Sequence, residues 1–112
     1  MTTANIPSLP EAIPEMVRRI VAGFAPLRVV LFGSYARGEA GPDSDADLLV
    51  VLPFSGSKRR MRVKIGLALQ GVGLAKDILV ATPEEAAAAQ IPGSVLHAAC
   101  REGLVLYERA SV

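Results

Sequence analysis

The chain has 112 residues, of which 51% are hydrophobic and 21% charged, and its formal net charge is +1. This length suits one domain, spanning residues 1–112, that buries its own core without disulfide staples. The near-neutral charge gives no general attraction to nucleic acid or to a membrane surface. Because Trp is absent and Tyr and Phe are few, we expect no aromatic platform for stacking single-stranded bases.

The composition also predicts a cytoplasmic protein. Its single cysteine, Cys100, cannot form an internal disulfide, which fits a reducing compartment. No apolar run approaches the ~20 residues that a membrane-spanning helix needs. Residues 1–9 form a polar lead without the basic start and apolar stretch of a signal peptide. We expect this lead to be loosely ordered and the protein to have no direct contact with a membrane.

Two kinds of apolar spacing alternate along the chain. Apolar residues three and four positions apart predict helices, and short apolar runs bounded by Gly and Pro predict buried strands. In chain order, the predicted elements are a helix over 11–24, a strand over 27–32, a short helix over 35–38, a strand over 45–52, a helix from 58 to about 70, a strand over 75–81, a helix from 83 to about 91, a helix over 94–101 and a strand over 104–107. The alternation predicts an α/β domain.

Side chains suited to capping mark three of the predicted helix starts. Ser34 and Ser57 each stand just before a helical segment, where a serine hydroxyl can accept a backbone N–H. Thr82 is followed by a proline and two glutamates, which is the residue order typical of a helix N-terminus.

The turn Gly33-Ser34 follows the first predicted strand directly. Glycine lets a phosphate approach the backbone closely, and the N–H groups that begin the next helix favour an anion. Arg37, about one helical turn further on, could add a cationic donor to the same phosphate. By itself, the Gly-Ser pair is also typical of a simple helix cap.

Three aspartates stand near the starts of the next two strands. Asp45 and Asp47 are two residues apart in an extended segment, so their side chains should point the same way. Asp77 lies within an apolar strand, where a carboxylate is costly unless it is paired or binds a metal. Each of the three could instead be a solvated acid at a strand edge.

Together, the turn and the acids predict chemistry on a nucleoside triphosphate. If the strand of Asp77 lies beside that of Asp47, three carboxylates gather in one place. Such a cluster suits two divalent cations about 3.5–4 Å apart, one activating a hydroxyl and the other steadying pyrophosphate. Magnesium prefers oxygen ligands of this kind.

These residues resemble the signature of the minimal nucleotidyltransferase family (MNT) of the DNA polymerase β superfamily. That signature is Gly-Ser, ten residues, then Asp-any-Asp, and it is met here by Gly33-Ser34, residues 35–44 and Asp45-Ala46-Asp47. Asp77 occupies the place of the third acid. The tail over residues 92–108 also resembles the close of these domains, so the resemblance covers most of the chain.

The resemblance implies a fold and an activity. The fold is α/β (α+β), with a small mixed sheet of three to four strands covered by helices mainly on one face. Family members of this kind are often antitoxins that transfer AMP from ATP to a tyrosine hydroxyl of a helical HEPN ribonuclease toxin. Carried over to this chain, Asp45, Asp47 and Asp77 would be the catalytic, magnesium-binding acids. Gly33, Ser34 and Arg37 would then bind the triphosphate.

Two other functions stay open beside this one. The chain could neutralise its partner by covering the partner's active site without catalysis. It could also modify a small molecule once a separate helical subunit completes the site. In each case an acceptor or partner would come from another polypeptide, because the predicted sheet and helices use nearly every residue.

The basic run over residues 58–64 is either a solvated face or a docking face for an acidic partner or the triphosphate tail.

Overall fold

A five-stranded mixed sheet organises the part of the chain that the computed structural model describes, namely residues 2–3, 10–88 and 103–109. In chain order, the elements are β1 (Thr2–Thr3), α1 (Ala12–Phe24), β2 (Arg28–Phe32), α2 (Ser34–Arg37), β3 (Ala46–Val51), α3 (Lys58–Ala68), β4 (Lys76–Ala81), α4 (Pro83–Ala87) and β5 (Leu104–Glu108). The strands lie in the order β1-β5-β2-β3-β4. None of the described helices is long and apolar enough to cross a bilayer.

The sheet mixes two kinds of strand pairing. Strand β2 is antiparallel to both β3 and β5, and β1 is antiparallel to β5. Strands β3 and β4 are parallel, which requires a long crossover, and α3 provides it. The predicted mixed sheet is therefore confirmed. It holds one strand more than predicted, because the backbone of Thr2–Thr3, in the lead expected to be loosely ordered, pairs with β5.

Helices α1 and α3 cover one face of this sheet. Side chains alternate between the two faces along each strand, so every second apolar residue of β2, β3 and β4 points toward these helices. This main core contains the buried residues Ile13, Met16, Val17, Ile20, Val29, Leu31, Ala46, Leu48, Val50, Leu52, Ile65, Leu69, Ile78, Val80, Leu106 and Tyr107. The prediction that helices lie mainly on one face is confirmed.

A smaller apolar cluster lies on the other face. It consists of Val30, Leu49, Val51 and Ala81, with Ala86 of α4 packed against it. The strand residues in this cluster alternate with those of the main core. We call this side of the sheet the minor face, and Asp47 and Asp77 point toward it.

Capping side chains begin α3 and α4 as the sequence predicts. The Ser57 hydroxyl accepts the N–H of Arg60 at 3.3 Å. Thr82 and Glu85 form a reciprocal capping box, in which each side chain accepts the other residue's backbone N–H at 3.1 and 3.0 Å. Lys58 Nζ lies 2.5 Å from Glu85 Oε2, so an ion pair joins the starts of the two helices.

Some predicted boundaries differ from those observed. Ser34 is not the cap of α2, because Gly33 holds the cap position and Ser34 is the first residue of the helix. Helix α4 ends at Ala87, earlier than the alanine-rich sequence suggests. The predicted helix over residues 94–101, with Cys100, lies outside the described residues.

Candidate active site

Two of the predicted acids lie in one row across the sheet. The antiparallel register of β2 and β3 places Phe32 opposite Asp47, and the parallel register of β3 and β4 places Asp77 beside Asp47. Residues paired across neighbouring strands point to the same face. Because Asp47 alternates with the main-core residue Leu48, this row points to the minor face, away from α1 and α3.

Asp45 stands just before β3, next to this row. The N–H of Ala46 donates to Ala75 O at 2.8 Å, so the segments that lead into β3 and β4 are held side by side. Asp45 and Asp77 are exposed and Asp47 is half-buried. Strand β4 lies beside β3, so the condition for bringing Asp77 near Asp47 is met. Asp77 is near the start of the edge strand β4 and faces solvent, as one of the two interpretations of its sequence position predicts.

The electrostatics of Asp47 show that the acids influence one another. Burial raises the pKa of the Asp47 carboxyl above its ordinary value, and the negative charges of Asp77 and Asp45 raise it further. The positive charge of Arg37 acts in the opposite direction on this pKa. Ionised Asp47 is therefore in a region of excess negative charge, which attracts a cation.

The three aspartates have the ligand atoms that a divalent cation prefers, but their side chains are not arranged around a common point. Carboxylate oxygens are the ligands that magnesium prefers. Burial and, after it, repulsion from Asp77 and Asp45 raise the pKa of Asp47, and a bound cation would offset this repulsion. Yet no three Asp, Glu, His or Cys side chains in the described ranges are grouped closely enough to form a ready ligand set. The acids are neighbours, and their side chains would have to turn toward each other to share an ion.

Gly33 lies against the Asp47 side chain. Its backbone, with φ 77° and ψ −153°, is in a region that only glycine adopts easily. A Cβ added at Gly33 would overlap Asp47 Oδ2 and lie 3.1 Å from Asp47 Cγ. Sequence reasoning selected this glycine for access to a phosphate. The structure adds that it makes room for the central acid, a relationship that no local sequence signal shows.

Arg37 ends the short helix α2 on the loop beside the acids. Its Nε donates to Glu39 Oε1 at 2.7 Å, and its backbone N–H donates to Gly33 O at 3.1 Å. Its effect on the pKa of Asp47 shows that its charge acts on the acid row. Sequence reasoning did not select Glu39. The only signal for it was its position two residues after the arginine.

Comparison with known proteins identifies the family. A family model described as a nucleotidyltransferase domain matches residues 11–97, which include all six predicted site residues. The chain belongs to this family. The match therefore confirms the coarse prediction of a nucleotidyltransferase. Nucleotidyltransferases of this family usually use a nucleoside triphosphate and a divalent metal.

Several solved structures resemble this nucleotidyltransferase. One, described as a minimal nucleotidyltransferase, is 30% identical, with a TM-score of 0.55 over 87% of this chain and 97% of that chain. A protein from Sulfolobus solfataricus, described as a nucleotidyltransferase, is 19% identical, with a TM-score of 0.61 over 94% of both chains. A chain of a toxin–antitoxin crystal structure with AMP-PNP is 19% identical, with a TM-score of 0.53 over 88% of this chain and 72% of that chain. No curated protein matches significantly.

Proposed function

We propose that this nucleotidyltransferase is an antitoxin that transfers AMP from ATP to a tyrosine hydroxyl of a partner HEPN ribonuclease toxin in the cytoplasm. The observation that carries the proposal is the row of Asp47 and Asp77 on the minor face, with Gly33 against Asp47. The similar toxin–antitoxin structure with AMP-PNP supports a protein partner and an adenine nucleotide. The toxin class and the acceptor residue follow from the resemblance of the Gly-Ser and Asp-any-Asp motif.

The residues divide the work according to their positions. Asp45, Asp47 and Asp77 would hold magnesium, which supplies Lewis-acid stabilisation of the charge that develops on the phosphates. The backbone of Gly33 and Ser34 would bind the triphosphate, because glycine permits a close approach. The Arg37 guanidinium would add a charge-assisted hydrogen bond to a phosphate oxygen.

The proposed transfer needs one proton acceptor. The tyrosine oxygen forms a bond to the α-phosphorus of ATP, and the bond from that phosphorus to the bridging oxygen of pyrophosphate breaks. Asp77 takes the hydroxyl proton, and pyrophosphate leaves with the electron pair of the broken bond. Asp77 suits this role because it is exposed near the start of an edge strand, where a side chain from another polypeptide can reach it.

Two competing functions make different predictions. A binding module would neutralise the toxin without transfer, and an enzyme completed by a helical subunit would modify a metabolite. The common direction of Asp47 and Asp77 favours catalysis, because an occluding module has no need for repelling carboxylates in one place.

The test combines the purified chain, ATP labelled on its α-phosphate, magnesium and the candidate helical partner. We expect label on the partner, an intact mass increased by AMP units, and loss of ribonuclease activity. The Asp45→Asn/Asp47→Asn and Asp77→Asn variants should transfer at least about a hundredfold more slowly. Asp43→Asn is the matched control, because Asp43 is an exposed acid in the preceding turn.

Other outcomes would select the alternatives. If no label reaches the partner and the Asp45→Asn/Asp47→Asn variant still neutralises it, the chain is a binding module. Label on a small molecule in place of the protein would indicate the metabolite enzyme. Equal loss of transfer in the Asp43→Asn control would show that the variants act through general charge and not through the site.

A further inference from the structure

Helix α3 exposes two large apolar side chains on its outer surface. Val63 and Leu67 are 54% and 58% exposed. They are four residues apart and therefore neighbours on one side of the helix. Ile65 and Leu69 lie on the opposite side, in the main core. Of the three exposed large hydrophobic residues in the described part of the chain, α3 carries two.

Positive charge surrounds this apolar pair. At 100° per residue, Arg59 lies one turn before Val63 in the same row as Val63 and Leu67, and Arg60 and Lys64 form the adjacent row. All three cations are exposed, and none forms an ion pair within the described residues. We call these five residues the α3 outer surface.

The positive charges of α3 destabilise the helix that carries them. The first three helical residues, Lys58, Arg59 and Arg60, are cations at the end where the helix dipole favours anions, and α3 contains no acid. Arg60 and Lys64 are like charges four residues apart, which also destabilises a helix. The charge of Lys58 is neutralised by its ion pair with Glu85, whereas the cations of the α3 outer surface have no such ion pair within the described residues. A sequence that breaks local rules in this way is expected at functional surfaces.

We propose that the α3 outer surface docks an acidic, amphipathic helical segment of a partner protein. Apolar side chains of that segment would cover Val63 and Leu67, and its carboxylates would pair with the three flanking cations. Nucleic acid would leave the apolar pair without a contact, and two apolar residues are too small a face for a membrane-surface helix. The inference rests on the proposed function only in that a protein partner exists.

The surface is separate from the acid row. Helix α3 packs on the main-core face of the sheet, and Asp47 and Asp77 point to the minor face. The docked segment is therefore not the acceptor itself. The docked segment binds the partner on the main-core side of the sheet, while another part of the partner reaches Asp47 and Asp77 on the minor face.

The test uses a defined probe. A synthetic helical peptide of roughly 20 residues carries leucines at heptad spacing flanked by glutamates, and a second peptide has glutamine at each glutamate position. We expect the acidic peptide to bind, with amide chemical shift changes confined to α3, and the glutamine peptide to bind at least about tenfold more weakly. Added salt should weaken the acidic complex.

Matched variants separate the surface from net charge. Arg59→Ala/Lys64→Ala should lower affinity for the acidic peptide about tenfold or more, without loss of thermal stability, because it removes like-charge repulsion. Arg18→Ala/Arg28→Ala removes the same total charge from α1 and β2, and should change the affinity less than about twofold. Val63→Ser/Leu67→Ser should also weaken binding, because the apolar contact is lost.

Several results would overturn the inference. These are no binding at low salt, shift changes centred away from α3, or equal effects of the two charge-removal variants. Anionic vesicles or duplex DNA binding as tightly as the peptide, without dependence on Val63 and Leu67, would show a general polyanion surface.

A transfer assay at subsaturating partner separates this inference from the proposed function. Transfer that proceeds equally well in Arg59→Ala/Lys64→Ala would refute docking and leave the enzyme intact. Peptide binding at α3 without any nucleotidyl transfer would support docking and refute the proposed enzymatic function.

Discussion

Gly33 lies so close to Asp47 that a single methyl group at position 33 would overlap the Asp47 carboxylate oxygen Oδ2. The antiparallel register brings them together, because Phe32 at the end of β2 faces Asp47 near the start of β3. In the sequence, the glycine turn and the aspartate pair are separate parts of a predicted nucleotide site. In the structure they are in steric contact, so a change in the turn directly affects the acid.

Replacing Gly33 with alanine should therefore damage the site and the fold together. The observed φ and ψ are accessible mainly to glycine, so we expect a loss of about 1–3 kcal/mol in the free energy of unfolding. Displacement of Asp47 should also reduce nucleotidyl transfer at least about tenfold. Chemical denaturation and the labelled-ATP assay measure the two effects.

Gly38→Ala is the control for this prediction. Gly38 also has a positive φ, of 72°, but an added Cβ would have nothing within 4 Å. We expect this variant to lose stability and to keep its transfer rate per folded molecule. If both alanine variants lose transfer equally, the contact with Asp47 is not what Gly33 protects.

Asp47→Asn should stabilise the protein at neutral pH while abolishing transfer. Because burial and the nearby acids raise the pKa of Asp47, the folded state favours the protonated carboxyl. The stabilising contribution of Asp47 is therefore present at low pH and is lost as pH rises through the raised folded-state pKa. We expect the variant's melting temperature to exceed that of the wild type at pH 7 and the two to converge near pH 3.

Magnesium should reverse this order. A cation bound to the acids stabilises the wild type by mass action and removes the repulsion at Asp47, whereas the Asp47→Asn variant gains less. Differential scanning fluorimetry across pH, with and without magnesium, measures both effects. A wild type more stable than the variant at pH 7 in the absence of magnesium would contradict the assigned repulsion.

Protonation of Glu15 at low pH should lower the stability of the folded protein. Hydrogen bonds from Arg18 and then Arg19 lower its pKa to about 2. Arg19 also donates to Gln70 O at 2.8 Å, which links α1 to the end of α3. Because folding lowers the pKa of Glu15, ionised Glu15 stabilises the folded state at pH values above its ordinary pKa of 4.5. This stabilisation is lost as pH falls toward about 2.

The matched pair for this test is Glu15→Gln and Glu11→Gln. We expect Glu15→Gln to be less stable than the wild type at pH 7, with the difference shrinking toward pH 2 and at high salt. Glu11 is exposed and makes no ion pair within the described residues, so its variant should follow the wild type. A pH-independent difference for Glu15→Gln would mean that packing, and not charge, explains the loss.

The local elements and the site motif could be read from the sequence. Apolar spacing placed α1, β2, β3, α3 and β4 within one or two residues of their observed bounds, because helix and strand periodicity is a short-range property. Thr82 with its proline and glutamates predicted the start of α4, since the residues that form this helix cap lie within four positions of one another. The Gly-Ser and Asp-any-Asp spacing indicated the family that the comparisons show.

Long-range relationships required the tertiary structure. Strand order placed Asp77 beside Asp47 and also left Asp77 exposed at an edge, which its position in an apolar run had left open. The pairing of β1 with β5 joins residues about a hundred positions apart, and no local pattern encodes such a contact.

The sequence by itself therefore predicted the family of this nucleotidyltransferase and the residues of its candidate site, because residue type and spacing are local properties of the chain. Only the tertiary structure decided which face they share, how closely Gly33 approaches Asp47, and that α3 presents its cations on the opposite side. The physical reason is that strand pairing and face selection depend on burying the whole apolar surface at once, which no single segment specifies.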